Sequence, residues 1–201
     1  KAAYEARDRA MKKFNYTEDD LPYFRTLHSF AFRRLGIKKE NVMQKRHFED
    51  MGKTMDFPVG SMEYDDEEGG TFTTKSDYLR IIQLAKLRNI SVERQYDLKE
   101  HTQVVEFNKL KIIASELDAY KKQHGLVDFN DMILDFTKSD SSPKFDVVFI
   151  DEAQDLSLMQ WDMARSIWNK TDDSYIAGDD DQAIFKWAGA DVDSFIAQDG
   201  K

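Results

Sequence analysis

An apolar run of mostly β-branched and aromatic residues, Phe145-Asp-Val-Val-Phe-Ile150, ends directly in Asp151-Glu-Ala-Gln-Asp155. Adjacent carboxylates in that position can divide labour. Asp151 can hold a hard cation such as Mg²⁺, directly or through water, while Glu152 orients and deprotonates a water molecule. A second short run, Ser174-Tyr-Ile-Ala177, leads into Gly178-Asp-Asp-Asp-Gln182, with 22 residues between Asp155 and Gly178. An uncharged amide such as Gln182 can hydrogen-bond a terminal phosphate, as glutamines do when they position an attacking water. Each half has a plainer reading. The acids after Ile150 can cap the next helix, and Asp179 to Asp181 can form a solvated turn, without the alternating ligands and terminal Glu of a calcium loop. The joint pattern is more specific than either half.

The elements that must position these groups are an alternating β and α series. Residues 145–150 read as a strand buried on both faces of a parallel sheet, 158–169 as a helix with Trp161, Ala164, Ile167 and Trp168 on its apolar side, and 174–177 as a second strand. Strand, helix, strand over this length is a parallel crossover, and ligands of open α/β sheets bind outside the carboxyl ends of such strands. Earlier in the chain, residues 1–14 are polar and helix-prone. Thr26 caps a helix reaching Leu35 that buries Leu27, Phe30 and Ala31 and stops at Gly36. From Ile37 to about Leu126 there is little strand pattern. Residues 60–76, with Asp65-Asp-Glu-Glu-Gly-Gly70, read as a solvated, mobile loop, followed by helices over 78–88 and 102–124. Leu110, Ile113, Leu117 and Tyr120 form the core stripe of the latter. Asp128 caps a further helix with Phe129, Met132, Ile133 and Phe136 inward, and Pro143 follows its end. No internal repeat is visible.

Composition narrows the setting. The formal charge of −9 would ordinarily argue against a nucleic-acid partner. The charge is sorted along the chain, however. From Asp146 onward 13 acidic side chains face 4 basic ones, whereas Arg25 to His47 holds seven Lys/Arg against one Glu. The absence of cysteine excludes disulfides, thiolate metal sites and a Cys nucleophile, and suits a reducing cytosol. No apolar run approaches the roughly 18 residues of a membrane span, so no membrane partner is expected. Lys1 stands where an initiator Met is expected, and the sequence is read as part of a longer chain.

Asp151-Glu-Ala-Gln-Asp155 resembles the Walker B motif of the UvrD/Rep/PcrA family of superfamily 1 DNA helicases. Gly178-Asp-Asp-Asp-Gln-Ala-Ile-Phe-Lys-Trp-Ala-Gly-Ala190 resembles the motif that follows it in that family. Thr26-Leu-His-Ser-Phe30 resembles the TxHxF element, Asp128-Phe-Asn-Asp-Met-Ile133 the DFDDLL element, and Lys1-Ala-Ala-Tyr-Glu-Ala-Arg7 the tail of TNKAAxEMxxR. The five occur in family order. The resemblance implies an α/β fold: a P-loop NTPase-type parallel sheet, a partial RecA-like domain 1A formed by 1–36 and 127–201, with a mainly helical 1B subdomain inserted at 37–126. It implies ATP and Mg²⁺ as cofactors, and single-stranded DNA and duplex junctions as partners. By matching position, Asp151 would hold Mg²⁺, Glu152 would be the general base, and Gln182 would contact the γ-phosphate. Phe185 and Trp187 would stack on bases, and Thr26, His28 and Ser29 would lie by the DNA track, with the basic stretch attracting phosphates. The plainer alternatives are core packing for Phe185 and Trp187, and a helix-start hydrogen bond for His28.

The family usually has Arg where this chain has Ala188. None of the nine glycines lies in a Gly-x-x-x-x-Gly-Lys-Ser/Thr phosphate loop. Family order places that loop before Lys1, and a second motor domain with an arginine finger after Lys201. The expected function is therefore part of an ATP-dependent DNA helicase, translocating 3′ to 5′ by analogy, cytoplasmic, bacterial or phage-encoded, and inactive without the missing parts. The alternatives are a non-catalytic DNA-binding or adaptor module of the same fold, and the motor part of a helicase–nuclease.

Overall fold

The computed structural model describes residues 2–55, 59–65 and 71–198. It is α/β and mostly helical, with two small sheets. The helices are α1 (Ala2–Phe14), α2 (Leu27–Arg34), α3 (Lys45–Thr54), α4 (Asp77–Leu87), α5 (Val92–Asp97), α6 (Phe107–His124), α7 (Phe129–Ser139), α8 (Leu158–Trp168) and α9 (Val192–Ile196). The strands are β1 (Met62–Asp65) and β2 (Thr71–Thr74), an antiparallel pair, and β3 (Val147–Ile150) and β4 (Asp173–Ile176), a parallel pair.

Local chemistry sets the helix ends. Thr26 caps α2, its side chain accepting the Ser29 N–H at 3.2 Å. Gly125, left-handed at φ +61°, closes α6. Asp128 and Asp131 form a capping box at the start of α7, as Ser157 and Gln160 do for α8.

Apolar burial is divided between two clusters. One contains Met43, Phe48, Met51, Leu79, Ile82, Leu110, Ile113 and Leu117, from α3, α4, α6 and the segment before α3. The other contains Phe30, Ala31, Met132, Ile133, Phe136, Met159, Met163 and Ile167, where α7 packs on α2 and α8. α4 enters both, with Leu79, Ile81 and Ile82 in the first and Leu84 and Leu87 in the second. A helix apolar around most of its circumference is suited to lie between two cores.

Three expectations are corrected. Within residues 60–76, Met62 to Asp65 pairs with Thr71 to Thr74 as a hairpin ladder, with Met62 opposite Thr74. Residues 66–70 of the acidic run lie outside the described residues. Helix α6 starts at Phe107 rather than Thr102, because the Thr102 and Gln103 N–H groups donate to the Asp77 carboxylate at 2.8 and 2.7 Å. Strand β3 is not buried on both faces. Side chains alternate across a strand, so Val148 packs on the second cluster while Phe149 is 75% exposed, stacked on the exposed Tyr175 at 4.9 Å. Among the described residues, helices cover one side of this pair only.

Candidate active site

The parallel pair brings the two acidic segments together. Val147 to Ile150 runs in register with Asp173 to Ile176. The pairing continues past the strand ends: the Ala177 N–H donates to Ile150 O at 2.8 Å, and the Ala153 N–H to Ala177 O at 3.0 Å. The chain reverses at once into a tight turn over Ala153–Asp155. Asp151 and Glu152 are exposed at this mouth.

Glu152 has φ +53° and ψ +39°, a left-handed conformation in a residue with a full side chain. Such a conformation costs about 1–2 kcal/mol. Local hydrogen bonds hold it: the Glu152 N–H donates to Asp151 Oδ1 at 3.0 Å, and Glu152 Oε2 accepts from Gln154 Nε2 at 2.8 Å. Asp155 lies just behind. Burial, and then the Glu152 charge, raise its carboxyl above the ordinary carboxylate value. Its Oδ1 is buried with no hydrogen-bond partner among the described residues.

Gln182 follows in the turn Asp180–Gln182, where its Nε2 donates to Asp179 Oδ2 at 2.6 Å. Asp179 also accepts the Asp181 N–H at 3.1 Å, so the three aspartates form a capped turn, with Gln182 exposed at its end. The loop then carries Phe185, half-buried, and Trp187, 57% exposed, with ring centroids 6.5 Å apart. It is pinned at its far end, where Ala190 bridges Ser157 and the Asp191 N–H donates to Leu156 O at 2.8 Å. Gly189 there is buried on Leu84 and Leu87 of α4. Ala188 is half-buried in the turn Lys186–Ala188.

Backbone and side-chain bonds thus join Asp151 and Glu152 to the loop of Gln182, Phe185 and Trp187. The α2 residues are elsewhere, on the layer formed with α7 and α8. Thr26 and Ser29 are half-buried and joined by the helix cap. His28 is buried, edge-on to Phe129 at 6.0 Å, and burial pushes its imidazole down to about 3 although the Asp128 charge opposes this. It is a neutral core histidine under the surface rather than an exposed contact. Burial, and then the positive charges of Arg33 and Arg7, lower the nearby Arg25 guanidinium from its ordinary value.

Among the described residues, no group of three His, Cys, Asp or Glu can enclose a metal ion. The Asp151–Glu152 pair still fits Mg²⁺, which takes one or two carboxylates, keeps several waters and shares substrate phosphate oxygens. It does not fit a closed zinc or calcium site. Sequence reasoning gave no role to Gln154, Asp155 or Asp179, because what they do depends on contacts across the two strand ends.

Residues 1–201 match the family model of the UvrD/REP helicase N-terminal domain. The chain belongs to this family. It is similar to the ATP-dependent DNA helicase PcrA of Bacillus subtilis, 24% identical over 98% of this chain and 28% of that protein. It is also similar to a probable DNA helicase II homolog of Mycoplasma genitalium, 24% identical over 90% of this chain and 24% of the relative. The RecBCD enzyme subunit RecB of Buchnera aphidicola is 30% identical over 52% of this chain and 10% of its own length. The chain therefore spans well under a third of each of these relatives. No helix among the described residues of this UvrD/Rep-family chain is long and apolar enough to cross a membrane.

Proposed function

We propose that this chain is part of an ATP-dependent DNA helicase, in which hydrolysis of Mg²⁺-bound ATP drives movement along single-stranded DNA and opening of duplex junctions, in the 3′ to 5′ direction by family analogy. The observation that carries the reading is the convergence of an acidic pair, Asp151 and Glu152, and an exposed amide, Gln182, at the carboxyl ends of two hydrogen-bonded parallel strands. Family membership supports the same reading, as do the PcrA and helicase II relatives. Residues 1–36 and 127–201 are assigned to the motor domain and 37–126 to the inserted helical unit. The first apolar cluster, drawn from Met43 to Leu117, falls inside those limits, and α4 is the element common to both.

In this reading Asp151 holds Mg²⁺, which neutralises developing charge on the phosphate oxygens when bound. The Glu152 carboxylate, fixed by Gln154, accepts the proton of the attacking water. Gln182, exposed at the end of its turn, donates an amide N–H to the γ-phosphate. Trp187 and Phe185 meet DNA bases, Thr26 and Ser29 flank the strand's path, and His28 supports α2 from beneath. The phosphate cradle itself is assigned outside these residues, so the isolated chain is expected to be inactive. The protein is placed in the cytoplasm.

The test is Glu152→Gln in the full-length protein. General-base loss costs typically 10²–10⁴-fold, so DNA-stimulated ATP hydrolysis should fall at least about 100-fold while single-strand binding persists. Hydrolysis at the unmodified rate would remove Glu152 from the mechanism.

A further inference from the structure

Glu152 and Gln182 follow different strands, yet one side chain stands between their loops. Gln154 is 1% exposed. Its Nε2 donates to Glu152 Oε2 at 2.8 Å, while its Oε1 accepts the Asp179 N–H at 3.0 Å. Asp179 then accepts from Gln182 Nε2 at 2.6 Å. The sequence of bonds is continuous from Glu152 through Gln154 and Asp179 to Gln182. An amide can do this in one side chain, since it donates from one end and accepts at the other across a rigid plane.

The surroundings leave the amide one place to go. A Cβ on Gly178 would lie 2.5 Å from Gln154 Oε1 and 2.9 Å from the Phe195 ring, so the space a side chain would fill at 178 is occupied by this amide and by α9. Glu152 is equally constrained, by its left-handed backbone and its bond to Asp151. The loop of residues 178–190 is anchored at one end to Gln154 and at the other to Ser157. Asp179 and the Glu152 carboxylate are therefore linked through a single buried side chain, and misplacement of a catalytic group by about 1 Å is enough to cost about 100-fold in rate.

We propose that Gln154 is a positioning residue that couples the aim of the Glu152 carboxylate to the loop carrying Gln182, Phe185 and Trp187, so that nucleic acid held by the loop sets the rate of hydrolysis. This rests on the reading of Glu152 as general base and of the loop as the DNA contact. Gln154 touches neither nucleotide nor DNA. Loss of its N–H removes the bond that holds the Glu152 carboxylate to Gln154.

The experiment uses the full-length protein with Gln154→Met, which keeps the volume and removes both bonds, and Gln154→Glu, which keeps an acceptor for Asp179 but faces Glu152 with a like charge. ATP hydrolysis is measured with and without single-stranded DNA. The expected result is a kcat lowered about 10- to 100-fold in the presence of DNA, with KM for ATP within about 3-fold. The factor by which DNA stimulates hydrolysis should fall for both variants, a change that a purely structural loss of kcat would not produce. Either variant alone suffices if the other does not fold. Undiminished DNA stimulation overturns the coupling, even if kcat falls. Glu152→Gln is run beside them. If it abolishes hydrolysis while both Gln154 variants behave as unmodified protein, the coupling fails and the general base stands. If Glu152→Gln hydrolyses normally, the underlying reading fails first.

Discussion

Lys121 Nζ lies 2.9 Å from Asp128 Oδ2, in a site where the two side chains are 7% and 2% exposed. Lys86 reaches the same Asp128 oxygen at 3.0 Å, and Asp131 accepts from both lysines, at 2.7 Å from Lys121 and 3.0 Å from Lys86. Two ammonium groups from α4 and α6 thus meet two carboxylates at the start of α7. Burial alone would lower Lys121 and raise Asp128. The opposite charges outweigh it, holding the lysine above its ordinary range and the aspartate below its own.

That charge balance makes single changes costly. Breaking a buried pair leaves an uncompensated charge, typically at 3–5 kcal/mol, and Asp128 is also the α7 cap. Asp128→Asn should lower stability by about 3 kcal/mol or more, and Lys121→Met by a similar amount. The double variant should lose less than the sum, because charge parity is restored. Urea unfolding of the four proteins measures this cycle, and strict additivity would show that the charges do not act together.

A second consequence concerns acid. His28 is buried, and its imidazole is pushed down to about 3 from 6.5. Below pH 6.5 the unfolded chain takes up a proton that the folded chain refuses, so the folded state is fully favoured above that pH and loses stability as pH falls through the window from 6.5 to 3. At pH 5 the loss is about 2 kcal/mol. Replacing the titrating ring by His28→Gln should remove that part of the pH dependence. Equal losses between pH 7.5 and 5 in both proteins would show that His28 is not held neutral.

Much of the architecture was readable from local rules, and what was not readable has identifiable causes. Thr26, Asp128 and the run ending at Ile150 announce α2, α7 and β3 because caps and continuous apolar runs act over a few residues. Strands β1 and β2 span four residues each, too few for alternation to stand out, and α5 is six residues long. The start of α6 depends on Asp77, twenty-five residues away, capturing the Thr102 N–H. The acidic pair and Gln182 are visible as chemistry in the sequence. The side chain joining them is not, since Gln154 meets Asp179 only after two strands have paired. His28 falls in a motif that suggests a surface, but the packing of Phe129 against it is set by α7.

Gly189 and Gly36 offer a matched comparison. Both have positive φ, +100° and +64°, but a Cβ on Gly189 would lie 3.1 and 3.2 Å from Leu87 atoms, whereas a Cβ on Gly36 would meet nothing within 4 Å. Gly36→Ala should therefore cost only backbone strain, about 1–2 kcal/mol. Gly189→Ala adds overpacking of about 1–3 kcal/mol, and should displace the loop from α4. Thermal unfolding separates them, and equal losses would mean that Leu87 yields freely.

Trp187 is the most exposed ring of the proposed DNA contact, at 57%, and it stands 6.5 Å from Phe185 at an interplanar angle of 49°. Base stacking on such a ring contributes about 1–3 kcal/mol and neutralises no phosphate. Trp187→Ala in the full-length protein should therefore weaken single-stranded DNA binding roughly 5- to 150-fold without changing its dependence on salt. Neutralising a basic side chain does the reverse: Arg25→Gln should weaken binding less at high salt and reduce the log–log salt slope by about 0.7 for each phosphate it no longer neutralises. Fluorescence anisotropy with a labelled oligonucleotide at several salt concentrations measures both. A Trp187→Ala protein with unchanged affinity would remove the ring from the interface. A flattened salt slope would instead show that the substitution had disturbed phosphate binding around the loop, and that the exposed ring was not acting by stacking.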